Sequence, residues 1–143
     1  MNETKIAPKW FKSIAIIAVL WNVMGVLAFI THITMTTEAI AALPVEQQAL
    51  YVDIPLWVTL AFGIAVFTGL LGSIGLLLKK PISLPILQLS LITIIAHDIY
   101  SFFFTKIIEI LGIEATIMPS IVIIIAILLI LLANKANKNQ WFN

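Results

Sequence analysis

Cysteine is absent from this chain of 143 residues. That excludes disulfides, thiolate metal sites and thiol nucleophiles, and it leaves the redox compartment unread. Charge is nearly as scarce. Only 10% of residues are Asp, Glu, Lys or Arg, against about 25% in a soluble domain, so the chain cannot clothe its surface for water. With two histidines in all, a zinc site of His, Asp and Glu ligands is not expected. There is no serine nucleophile elbow, glycine-rich phosphate loop or basic–aromatic nucleic-acid patch. Gly69-x2-Gly72-x2-Gly75 lies within an apolar run and cannot cradle a nucleotide. No catalytic group, cofactor, metal or nucleic-acid partner is therefore expected. Linkers, low-complexity tracts and internal repeats are also missing, which withholds support from an inverted-repeat transporter design.

What abounds is hydrophobicity: 62% of residues are apolar and mean hydropathy is +1.13. Four windows, 13–37, 54–78, 81–105 and 115–134, are free of charge except for Asp98 and its neighbour His97 in the third. About 20 helical residues cross a hydrocarbon core of roughly 30 Å. The expectation is an all-α integral membrane four-helix bundle, up-down-up-down, in a single domain 1–143. Its spans lie near 10–31, 55–78, 84–104 and 117–133. The apolar stretch of the first span exceeds the roughly 7–15 residues of a signal peptide and no clear A-x-A site follows, so it is read as a retained anchor.

Lysines set the direction. Lys5, Lys9, Lys12, Lys79, Lys80, Lys135 and Lys138 fall on one side, seven of eight, with Lys106 alone opposite. Glu38, Glu46, Asp53, Glu109 and Glu114 fall in the two connections on that opposite side. The positive-inside rule then places both termini in the cytoplasm. Trp10, Trp57 and Trp141 mark predicted water boundaries, whereas Trp21 lies mid-span.

The short connection Lys79-Lys80-Pro81 makes the second and third helices antiparallel neighbours. Ser83 is the expected N-cap of the third helix, and Asp53-Ile54-Pro55 the expected cap of the second. Pro44 opens 45–51, where Glu46, Gln47 and Gln48 oppose Leu50 and Tyr51. That pattern predicts a short helix on the membrane surface, the alternative being a solvated loop with one helical turn.

The third span carries the costly residues. Its twelve Leu, Ile and Phe residues contribute about −4 to −7 kcal/mol to insertion, while one central Asp takes back about 2.5–3.5. The helix is therefore expected to face the bundle interior. At 100° per residue Ser90, Thr93, His97 and Ser101 share one stripe, with Asp98 and Tyr100 flanking it; Gln88 points elsewhere. An intramembrane ionisable group marks a functional site by default. The open readings are a proton relay, a lining for a polar solute, an acid/base catalyst, or helix glue near the water boundary. Asn22, in the first span, is the expected partner of Asp98, or else a plain interhelical hydrogen-bonder. His32 and Thr31 read as boundary residues without a role.

The second span carries Ala61, Ala65, Gly69 and Ser73 at four-residue spacing, with Thr68, Gly72 and Gly75 alongside. Small stripes let helix backbones approach. This one suits packing within the chain, an oligomer interface or a groove beside a pore.

Several short patterns occur together: Trp21-Asn22-x2-Gly25, Tyr51-x3-Pro55-x-Trp57, Gly69-x2-Gly72-Ser73 with Leu76-Leu77-Leu78-Lys79-Lys80, Ser90-Leu91, and Tyr100. The combination resembles a family of small bacterial four-span membrane proteins, many automatically labelled "sugar transporter". The likeness reaches to about Phe104; the fourth span matches only in being apolar. It implies passage of a small polar, sugar-like solute, with no defined binding residues to carry over. Two-repeat sugar carriers of the SWEET type are not matched, since no span holds a Pro-Gln pair, and the four-span multidrug type is not matched, since the first helix lacks a glutamate. Two functions follow as expectations: a transporter whose seam is Asn22, Ser90, Thr93, His97, Asp98, Tyr100 and Ser101, or a non-transporting accessory subunit packed against a membrane partner. A homo-oligomer suits the first, because four helices enclose little space.

Overall fold

The computed structural model describes residues 5–143; the first four residues of the single-domain assignment lie outside the described residues. Seven helices follow in order: α1 (Lys9–Ile33), α2 (Thr37–Ala41), α3 (Val45–Gln48), α4 (Leu56–Leu77), α5 (Ser83–Phe103), α6 (Ile107–Leu111) and α7 (Ile117–Lys138). Among the described residues there is no strand. α1, α4, α5 and α7 are long and apolar enough to cross a membrane, and together they form an all-α, multi-pass bundle. Short 3-10 turns, Ala49–Tyr51 and Ile113–Thr116, complete the two longer connections.

Hydrogen bonds at one end fix the alternation of direction. The Lys5 amide donates to the Gln140 carbonyl (2.9 Å) and the Asn143 amide to the Lys79 carbonyl (2.8 Å). Both ends of the described chain and the α4–α5 turn therefore meet at the same end, the lysine end. The α4–α5 and α7 termini close in the same way. Lys79 (φ 56°) and Gln140 (φ 57°) adopt the left-handed conformation. Lys80 N–H then reaches Gly75 O (2.8 Å), and Trp141 N–H reaches Ala136 O (2.9 Å). This is the Schellman pattern, usually built on glycine, here on long polar residues.

Two expected caps are corrected. The N-cap of α5 is Ile82, without a side-chain hydrogen bond. Amides of Ser83 and Leu84 already turn back to the Lys80 and Pro81 carbonyls, so the helical twist begins before Ser83 and carries it inside the helix. Its hydroxyl is buried without a partner. The N-cap of α4 is Pro55, again with no side-chain bond, and Asp53 occupies a left-handed turn (φ 55°) instead of capping. The short helix expected over 45–51 is present as α3 and its 3-10 extension.

α4 is the spine of the bundle, packed against α5 on one side and α1 on the other. Its stripe of Ala61, Ala65, Gly69, Gly72 and Ser73 is buried within the chain, which makes it an intrachain contact. A Cβ at Gly69 would collide with the Asn22 amide, one at Gly72 would lie 2.6 Å from Leu87 Cγ, and one at Gly75 would lie 2.9 Å from Ser83 Cβ. The densest packing is at the lysine end, where Phe11, Ala15, Ala18, Leu76, Leu87, Leu129, Ala133, Ala136 and Phe142 form one core. α7 accordingly stays helical to Lys138, five residues past the expected end, because Ala133 and Ala136 are fully buried there. Phe11 and Trp141 meet edge-on at 5.5 Å, and Lys135 Nζ sits 5.3 Å over the Trp10 ring. Gln88 faces outward, as the helical wheel predicts.

Because the α4–α5 approach leaves no room for a methyl group, Gly72→Ala and Gly75→Ala should each destabilise the fold by about 1–3 kcal/mol. Gly25→Ala, whose Cβ would rest at an ordinary 3.5 Å from Val66, should be neutral or stabilising by up to about 1 kcal/mol. Denaturant titration of helicity in micelles separates the two; equal effects at all three positions would mean that the close approach carries no weight.

Candidate functional site

The polar residues of α5 do not act as one seam. Lowest is Ser90, nine-tenths buried, whose hydroxyl donates to the Ala65 carbonyl of α4 (2.7 Å). Beside it the Asn22 amide nitrogen donates to the Ala18 carbonyl (2.9 Å) and to Ser73 Oγ (3.0 Å). Ser73 Oγ in turn donates to the Gly69 carbonyl (2.8 Å). The missing side chain of Gly69 admits the Asn22 carbonyl oxygen, so amide, hydroxyl and backbone knot together between α1 and α4. Asn22, Gly69 and Ser90 border a cavity of about 20 Å³ at the bundle centre.

Thr93 is satisfied on its own helix, sharing its hydroxyl hydrogen between the Leu89 and Ser90 carbonyls (3.0 Å each). Above it the character changes. Asp98 is 8% exposed. Its Oδ1 lies 3.0 Å from His97 Nδ1, and its Oδ2 is buried without a partner. The expected union of Asn22 with Asp98 is not formed. Ser90, at the level of Asn22, precedes Asp98 by eight residues, a rise of about 12 Å, beyond the reach of two short side chains. Asn22 is a helix-joining group in this arrangement.

At the acidic end α1, α4 and α5 part to leave a cup of about 260 Å³. His97, Tyr100 and Ser101 of α5 line it, as do Val58, Thr59 and Phe62 of α4. His32 contributes from the last turn of α1, and Leu50 and Tyr51 reach in from the α2–α4 connection. Pro44 starts α3, and Gln48 Nε2 donates to the Leu43 carbonyl (2.8 Å). That bond ties the connection back on itself and delivers Tyr51 over the cup. Thr105, Ile107 and Leu111 close the far side.

The rings form a continuous series. His32 lies 6.1 Å from Tyr51 and 5.8 Å from Phe62, and Phe62 lies 5.2 Å from His97. Tyr100 is held by an edge-on Trp57 at 5.5 Å and a stacked Phe104 at 5.9 Å. The Asp98 carboxyl behind the ring meets His97 Nδ1 and fixes the orientation of the imidazole. Among the described residues no three His, Asp or Glu gather to hold a metal ion.

Comparison with protein-family models, with curated proteins and with solved structures found no match to this chain. The site is accordingly read from its own chemistry. Of the expected seam, His97, Tyr100 and Ser101 line the cup, Asn22 and Ser90 border the small central cavity, and Thr93 and Asp98 line neither. No residue lines both spaces. His32 was expected to be an idle boundary residue, and the structure makes it a wall of the cup. Tyr51 entered the sequence reading only as part of a pattern, and Phe62 not at all. Nothing in local sequence joins them to His97; only the packing of α1, α4 and α5 does.

The Asn22–Ser73 bond should measure as glue. A double-mutant cycle of Asn22→Ala and Ser73→Ala, read by unfolding in micelles, should return a coupling of about 0.6–2 kcal/mol. Additive effects would show that the two side chains merely neighbour one another.

Proposed function

We propose that this chain is a multi-pass protein of the bacterial cytoplasmic membrane, with both termini in the cytoplasm. It takes a small polar solute into the cup as the first step of carrying it across. The observation that carries this reading is the cup itself. It is a concave, aromatic-walled space with few polar groups, at the end remote from the lysines, above a tightly packed opposite end. Small-molecule sites have this composition, and typically about 300–1,000 Å³ of volume; at about 260 Å³ the cup suits a small ligand. The sugar-like solutes implied by the sequence resemblance belong to the class to be tried. An enzyme is the weaker reading because neither Ser101 nor Thr59, the hydroxyls that share the cup with His97, is hydrogen-bonded to its ring.

The bundle is closed at the lysine end and open at the other, so the conformation corresponds to an outward-facing carrier. Asp98 supports the reading through its position. A buried acid at lipid level costs about 2.5–3.5 kcal/mol, and here it orients a histidine that lines the binding space.

Two measurements test the proposal. In liposomes offered a panel of labelled sugars, polyols and amines from outside, the wild type should take up at least one class, and Asp98→Asn or His97→Ala should lower that uptake at least tenfold. No uptake of any class, together with purification alongside one stoichiometric membrane partner, would favour the accessory-subunit alternative. Topology is open to single-cysteine labelling, because the chain has no cysteine of its own. A membrane-impermeant maleimide should reach Asp53→Cys and Glu114→Cys in intact cells, and Asn139→Cys only after permeabilisation. The reverse pattern would invert the assignment.

A further inference from the structure

The walls of the cup say more about the solute than its volume does. Five rings line it: His32, Tyr51, Phe62, His97 and Tyr100. No Lys, Arg, Asp, Glu, Asn or Gln does. An anion would need a fixed cation or several converging N–H donors, and the wall holds no Lys or Arg and only the two imidazoles. A neutral polyol would need directional partners for all of its hydroxyls. The cup offers the hydroxyls of Tyr51, Thr59, Tyr100 and Ser101 on a largely apolar wall, and the Thr105 hydroxyl is already given to the Ser101 carbonyl. A cation has different needs: ring faces, acceptor lone pairs and a negative field, with no demand for matched donors.

All three are present. Tyr51, Phe62 and Tyr100 supply electron-rich faces, and the Thr59 and Ser101 oxygens supply acceptors. Asp98, buried behind His97 with one carboxyl oxygen unpartnered, is the acidic group placed to balance a cation there. The surrounding surface has the same sign. Glu38, Glu46, Asp53, Glu109 and Glu114 stand at this end with Lys106 as the sole lysine, and Lys106 Nζ is itself 3.7 Å from a Glu109 oxygen. Such a rim concentrates cations near the mouth.

We propose that the cup binds a small organic cation, an amine or quaternary ammonium, caged by His32, Tyr51, Phe62, His97 and Tyr100, with Asp98 as the counter-charge behind the histidine. This rests on the solute-binding reading above and names its substrate class. Asp98 acts as a positioning and charge-balancing residue, since it does not itself line the cup.

The test uses the full-length protein in nanodiscs and isothermal titration with four probes. These are choline, its uncharged carbon isostere dimethylbutanol, a neutral monosaccharide, and a carboxylate of similar size. Choline should bind at least tenfold more tightly than dimethylbutanol, and the sugar and carboxylate more weakly still. Tyr100→Phe, which keeps the ring, should bind choline within about twofold of wild type. Tyr100→Leu should lose about twofold to thirtyfold, the range expected of one cation–π contact. Asp98→Asn should narrow the gap between choline and dimethylbutanol. Equal affinity for that pair, or preference for the sugar, would overturn the cationic assignment while leaving a solute site in place. No binding of any probe by the wild type would overturn both. The comparison of probes on the wild type stands whether or not a variant folds.

Discussion

The close approach of α4 to its two neighbours is the contact on which the rest of the molecule depends. Lipid gives helices no hydrophobic reason to associate, so dispersion contact and interhelical hydrogen bonds must hold them. Gly69, Gly72 and Gly75 admit Asn22, Leu87 and Ser83 into space that a methyl group would fill. That proximity lets Ser90 reach a carbonyl of the facing helix and lets Asn22 reach Ser73. Toward the acidic end α4 instead presents Val58 and Phe62 to the interior. Small residues at one end and bulky ones at the other make the helices splay, and the cup is the space that the splay leaves.

The two ends consequently differ in kind. The lysine end is sealed by alanines and phenylalanines with almost no exposure, and is laced by the terminal hydrogen bonds to Lys79 and Gln140. The acidic end is walled by rings from four separate segments, one of them the α2–α4 connection. Rings meet there edge-on, tilted or stacked around an open space.

Much of the architecture was legible in the amino-acid order because the bilayer imposes it. Long charge-free windows could only be spans, and their observed limits, such as Leu56–Leu77 and Ser83–Phe103, fall within about two residues of those expected for three of the four. The small stripe of α4 was readable for the same reason, since backbone approach needs small side chains. The caps were less so. Lys79 and Gln140 take conformations that sequence assigns to glycine, and Ser83 lies inside a helix that begins early. The site was half legible. His97 and Asp98 announced themselves by their cost in lipid, and Tyr100 and Ser101 followed from helical period. Pairing Asn22 with Asp98 treated both as mid-span, when two turns of helix separate their levels. His32 and Phe62 were hidden because only tertiary contact, between residues tens of positions apart, brings their rings to His97.

The tryptophans divide along the same line. Trp10 and Trp141 contact each other on the surface of the sealed end, Trp21 borders the central cavity, and Trp57 stands edge-on to Tyr100 at the mouth of the cup. Each level of the bundle thus carries its own indole. Intrinsic emission from single-tryptophan versions of the protein can follow sealed end, centre and mouth separately, with no dye attached and no label to disturb the packing.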